Sequence, residues 1–127
     1  MGAISGRITE SEWKVMNLLW EKPRTLMQLT KSLYEETKWT KFTVLTLLRR
    51  LLEKEAVSYT QQGRTKTFQA SISRKEAEVE AANSMRNAFF AGRIPSMVSA
   101  MVEGKKPSEE EIEEICRILN IERVKHD

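Results

Sequence analysis

One cysteine and one histidine among 127 residues leave little room for metal or redox chemistry. A lone Cys116 cannot form an intramolecular disulfide, and one Cys plus one His fall short of the ligand set of a zinc site. His126 is next to last, so a Cys–His pair would have to join a helix to a fraying tail. There is no Gly-rich phosphate loop, no internal repeat and no low-complexity tract. No apolar run approaches the ~18 residues that span a bilayer, and Met1 to Arg7 has no apolar core of a secretory signal. These absences exclude a disulfide scaffold, a metal or cofactor enzyme and membrane insertion. They predict a cytoplasmic protein with no catalytic residues, no metal and no cofactor.

The net charge is only +3, but it is unevenly placed. Residues 1–70 carry 12 Lys/Arg against 7 Asp/Glu, and residues 71–127 carry 9 against 11. A polyanion would therefore meet the first half, although a difference of this size also arises by chance. Thr9 to Glu12 reads as a capping box, followed by Trp13, Met16, Leu19 and Trp20 at helical spacing until Pro23. Thr25 to Gln28 is a second box, leading to Leu26, Leu29, Leu33 and Tyr34, with a polar break over Glu35 to Lys38. Thr40 caps a third helix over Lys41 to Glu55, its buried stripe being Val44, Leu47, Leu48 and Leu51. The period then changes. Val57 to Gln62 and Thr65 to Ala70 are rich in β-branched and aromatic residues, and Gly63-Arg64 between them signals a hairpin.

The expected fold is mainly α with a small β-hairpin: a winged helix-turn-helix over 1–72, then a helical dimerisation module over 73–127. In such a unit the third helix enters the major groove. Opposite its buried stripe stand Thr43, Thr46, Arg49 and Arg50, with Lys41 near the start. Hydroxyls and guanidinium groups there suit phosphates and base edges, and a helix N-terminus suits phosphate. Trp39 offers an indole N–H to the same backbone. Arg64 and Lys66 stand at the hairpin tip, within reach of a flanking phosphate. Taken singly, each of these is also what an ordinary solvated surface presents.

Ser73 to Glu76 opens a further helix to about Ala91, with Val79, Ala82, Met85 or Ala88, and Phe89 as its apolar positions and Phe90 adjoining. Pro95 starts a short helix through Val102 bearing Met97 and Met101. Ser108 to Glu111 caps a last helix carrying Ile112, Ile115 and Leu119. These stripes have too little material for a core of their own, so a second copy is expected to cover them. Cys116 reads either as a small core or interface residue or as a redox sensor.

Ile8 to Met16, Trp39 to Val57 with its Thr-Val…Thr-Leu-Leu…Arg-Leu pattern, the hairpin through Gly63 and Glu111 to Leu119 together resemble the penicillinase-repressor (BlaI/MecI) family. The copper-responsive repressors are looser cousins, and their cysteine-rich C-terminal motif is absent here. The resemblance implies a winged helix, a C-terminal dimerisation module and repression by a homodimer on a palindromic double-stranded DNA operator. It also implies that, as in the best-known members, a membrane sensor-protease system induces cleavage in the C-terminal module. At the matching position this chain reads Ala100-Met101 where the family has Asn–Phe. Phe42 and Leu45 stand beside the reading face where the family often has Lys and Arg, so the operator sequence does not carry over. As apolar groups they also suit a rival reading, a winged helix that binds protein. A redox-gated regulator acting through Cys116 is the other.

Overall fold

The computed structural model describes residues 7–120. Its elements are α1 (Glu10–Glu21), β1 (Arg24–Thr25), α2 (Leu26–Thr37), α3 (Lys41–Glu53), β2 (Val57–Gln62), β3 (Thr65–Ala70), α4 (Arg74–Phe89), α5 (Ile94–Gly104) and α6 (Glu109–Ile118). Residues 1–6, which hold all but Arg7 of the stretch from Met1 to Arg7, and residues 121–127, which include His126, lie outside the described residues. The chain divides into two compact units, Met1–Ser84 and Met85–Asp127.

Local chemistry sets the helix starts in the first unit. Thr9 Oγ1 accepts from the Glu12 N–H at 3.2 Å, and Glu12 Oε1 accepts from the Thr9 N–H at 2.9 Å, satisfying two donors that α1 would otherwise leave open. Thr25 and Gln28 repeat the exchange at α2 at the same distances. Pro23 bars Lys22 from helical backbone, and α1 ends at Glu21. Where a polar break was expected over Glu35 to Lys38, α2 instead continues through Thr37. Thr37 Oγ1 donates to the Leu33 carbonyl at 2.7 Å, and Glu36 pairs with Lys14 on α1, so the last turn is held at both sides. Lys38 then reverses the chain in the left-handed region, φ 58°. Tyr34, placed on the apolar stripe by its spacing, is exposed.

The hairpin closes as its composition predicts, with Gln62 opposite Thr65. Gly63 takes φ 61° at the first turn position, where a side chain is disfavoured, and Arg64 keeps an ordinary backbone. The structure adds a third strand that the sequence reading lacked: Arg24 and Thr25 pair antiparallel with Phe68 and Thr67, giving the order β1-β3-β2. Two residues are too few to show a periodicity.

One core serves this unit. Val15, Met16 and Leu19 of α1, Leu29 and Leu33 of α2, Val44, Leu47, Leu48 and Leu51 of α3 and Phe68 of β3 are all buried. Ile72 and Ala77 join them, and so does one charged group, Glu12. The start of α4 is tied to α1. The Trp20 indole N–H donates to the Ile72 carbonyl at 3.0 Å, the Arg74 guanidinium lies 4.6 Å from the Trp20 ring centroid, and Arg74 also donates to Asn17 Oδ1. Compactness thus ends after Ser84, whereas the sequence reading divides the chain at 72/73, where α4 begins.

The second unit is built differently. Pro95 sits in the first turn of α5, where its missing N–H costs nothing, and α5 runs on to Gly104, past the expected end at Val102. Ser108 and Glu111 form the capping box of α6. No residue of α5 or α6 is buried. Phe89, Ile94, Val98, Met101, Ile115, Ile118 and Leu119 are exposed apolar groups, Phe89 at 71% and Ile118 at 74%.

Candidate nucleic-acid interface

α3 presents two opposed faces. Val44, Leu47, Leu48 and Leu51 bury one completely or nearly so. By helical spacing Phe42, Thr46, Arg49 and Glu53 point the opposite way, Thr43 and Arg50 flank one side, and Lys41 and Leu45 flank the other. Lys41, Phe42, Thr43, Thr46, Arg49 and Arg50 are all exposed, Phe42 at 70%. Thr40 Oγ1 accepts from the Thr43 N–H at 3.4 Å, which leaves its own O–H to donate outward. The Thr46 hydroxyl donates to the Phe42 carbonyl at 3.0 Å, so its methyl and oxygen lone pairs face solvent. The Lys41 ammonium lies 5.5 Å from the Phe42 ring centroid.

Two expected residues sit deeper than the sequence reading had them. Leu45 is half-buried, not an open apolar group like Phe42, because it turns toward the hairpin and lines a cleft with Phe68. Trp39 is half-buried and packs on the core, so only part of its indole is open. At the wing, Arg64 and Lys66 are exposed, and the Lys66 ammonium stacks 4.6 Å above the Tyr59 ring centroid. Tyr59 in turn leans on buried Phe68, with ring centroids 5.7 Å apart.

Two features escaped the residue-by-residue reading. Glu53 shares the outward face of α3 but at its C-terminal end, away from the turn that leads into a groove. The larger one is an absence that was legible in the sequence. No Asp or Glu occurs from Thr37 to Leu52 or from Ala56 to Lys75, the two stretches that make α3 up to its last residue and the wing. Every formal charge there is positive. Alternation of like charge and hydroxyls without a single acid is what a phosphate surface requires.

The residues read as dimerisation positions fall in both units. Val79 and Ala82 are exposed on the first-unit part of α4; Phe89, Met101, Ile115 and Leu119 are exposed in the second unit, where Phe90 and Met97 are half-buried. Ile94, Val98 and Ile118 are exposed as well and were not among the expected positions. Val98, Met101, Val102, Pro107 and Ile115 line an apolar groove of about 470 Å³ between α5 and α6, with Lys105, Lys106 and Glu111 at its edge. Ala100 and Met101 are exposed within α5, and Cys116 is half-buried on α6. Among the described residues no helix is long and apolar enough to cross a membrane.

Three helices with an outward polar face on the third, closed by a three-stranded sheet whose hairpin projects beside it, define a winged helix-turn-helix protein. The solution structure of the DNA-binding domain of the repressor BlaI has this architecture: it is 26% identical, superposes with a TM-score of 0.53, and covers 60% of this chain and 93% of that domain. A complex structure of hsRosR-S4 shares the fold, at 17% identity and a TM-score of 0.51, over 76% of this chain and 90% of that one. The chain belongs to the penicillinase repressor family, whose sequence model matches residues 8–121. It is 29% identical to the penicillinase repressor of Bacillus licheniformis over 114 residues, 89% of each chain. It is 25% identical to the methicillin resistance regulatory protein MecI of Staphylococcus aureus (strain N315) over 114 residues, 89% of this chain and 93% of that one. The family is named for repression, not for a catalysed reaction.

Proposed function

We propose that this protein is a transcriptional repressor that binds a palindromic operator as a homodimer. The observation that carries the reading is the surface of α3 from Lys41 to Leu52 and of the wing, which bears Lys41, Arg49, Arg50, Arg64 and Lys66 and no acid before Glu53 at the far end of the helix. On this reading Thr43, Thr46, Arg49 and Arg50 meet base edges and phosphates from within the major groove, with Thr40, Lys41 and part of Trp39 on the backbone near the helix start. Phe42 supplies apolar contact to a thymine methyl. Arg64 and Lys66 hold a flanking phosphate.

Two copies are needed because one winged helix covers one half-site. The exposed stripes of 85–120, with Val79 and Ala82, supply the glue. Full burial of Phe89 alone contributes roughly 1.5–3 kcal/mol per copy, counted twice in a symmetric interface. A membrane sensor-protease remains a partner by family likeness, and to cut between Ala100 and Met101 it would first have to unwind α5.

Sequences selected from random duplex DNA provide the test. Arg50→Ala and Thr46→Ala should each weaken binding to the selected duplex by ~1–3 kcal/mol while leaving the fold intact. Wild-type affinity in both variants would remove α3 from the interface. Replacing Arg64 and Lys66 together with Ala should weaken all duplexes alike and flatten the salt dependence of the dimer by up to about four units, about 0.9 for each of the four cations lost. A changed sequence preference at constant slope would mean that the hairpin reads bases instead.

A further inference from the structure

Between α3 and the wing lies a cleft of about 270 Å³, lined by Thr25, Leu26, Met27, Leu45, Arg64, Thr65, Lys66 and Phe68. We infer that it is a binding site for a small aromatic carboxylate, whose occupancy competes with DNA. Its floor is apolar: Phe68 closes the bottom, half-buried Leu26 and Leu45 form the walls, and Met27 stands exposed at the edge. Phe68 is itself buried, so the open apolar surface of the cleft is that of Leu26, Leu45 and Met27. The lip is cationic, with Arg64 on the turn and Lys66 on β3, and no described carboxylate pairs with either. No acid lines the cleft, and none occurs in the two chain segments that supply its α3 and wing sides.

A phosphodiester alone would use the lip and leave the apolar floor bare. A flat ring bearing one carboxylate uses both: the ring replaces water on Leu26, Met27 and Leu45, and the carboxylate takes the guanidinium of Arg64 and the ammonium of Lys66. The Lys66 ammonium rests 4.6 Å from the Tyr59 ring centroid, which limits how freely this exposed side chain moves. An occupied cleft engages the same two cations that the wing would offer to a phosphate. Binding of the acid therefore weakens binding of DNA, by as much as loss of these two cations would. The competition rests on the DNA-binding reading; the ligand site does not.

The test uses the 127-residue chain and 1-naphthoate, with 1-naphthalenemethanol as the neutral analogue. Calorimetry without DNA should show one saturable naphthoate site per chain, with the alcohol at least tenfold weaker. The Arg64→Ala, Lys66→Ala double variant should lose naphthoate affinity at least tenfold, and so should Leu45→Asn, each with unchanged circular dichroism. Duplex binding followed by anisotropy should weaken as naphthoate is added. Equal affinity for acid and alcohol, or unchanged naphthoate affinity in the double variant, would overturn the site. Unchanged duplex affinity at saturating naphthoate would overturn the competition. Intact naphthoate binding in a chain that binds no duplex would count against the DNA-binding reading and leave the site standing.

Discussion

Cutting the chain after Ser84 is expected to leave a folded winged helix that is monomeric and has lost tight operator binding. Among the described residues every buried one lies between Ile8 and Ala77, so the cut removes none of that core. It keeps Ile72 as acceptor for Trp20 and Arg74 stacked on the same ring, both of which a cut at Ala70 would destroy. What it does remove is the apolar surface of Phe89, Ile94, Val98, Met101, Ile115, Ile118 and Leu119, which the monomer leaves in water. Linking two half-site readers raises their joint affinity by about 10²–10⁴ through effective concentration, and the truncated chain should fall short by that factor. Sedimentation and duplex binding of the 127-residue chain and of residues 1–84 measure both effects. A truncated chain that still sediments as a dimer would put the interface in the first unit.

The other large effect is expected in the core of the winged helix. Glu12 is wholly buried, yet it is a carboxylate: Oε1 accepts from the Thr9 N–H and from the Lys54 ammonium at 2.5 Å, and Oε2 has no partner. Lys54 is mostly buried and also donates to the Arg7 carbonyl. This one side chain therefore caps α1 and ties it to the C-terminal end of α3. Glu12→Ala strands the Lys54 charge and reopens the α1 terminus, and it should cost ~3–5 kcal/mol in urea unfolding. That is a large share of the ~5–15 kcal/mol that a domain of this kind has. Replacing both partners, Glu12→Leu with Lys54→Met, should recover most of the loss, since no unpaired charge remains. A double variant as unstable as Glu12→Ala would show that the cap, and not the ion pair, carries the stability.

Much of the fold was legible because its signals are local. Thr9, Thr25, Thr40, Ser73 and Ser108 each mark a helix start in sequence, and each caps one in the structure. Gly63 marks the hairpin for a similar reason: few other residues hold φ 61°. What was not legible depends on distant partners. Glu36 reads as a loop residue until Lys14 is placed beside it, and β1 exists only because β3 lies alongside. Glu12 reads as a surface capping residue, and nothing near it in sequence announces that Lys54 will bury it. The interface divides in the same way. The exposure of Thr43, Thr46, Arg49 and Arg50 follows from helical period alone. The turning of Leu45 into the wing cleft required knowing where Phe68 sits.

The most direct measurement is the salt dependence of binding between the 127-residue chain and its selected duplex. Lys41, Arg49, Arg50, Arg64 and Lys66 are the cations assigned to the surface. Each phosphate that they neutralise releases counterions and adds about −0.9 to the slope of log affinity against log salt. A dimer using even half of these contacts should show a slope of roughly −4 or steeper, by the same arithmetic. A slope near zero, or one unchanged when Arg49, Arg50, Arg64 and Lys66 are all replaced by Ala, would contradict the assignment of this surface to DNA.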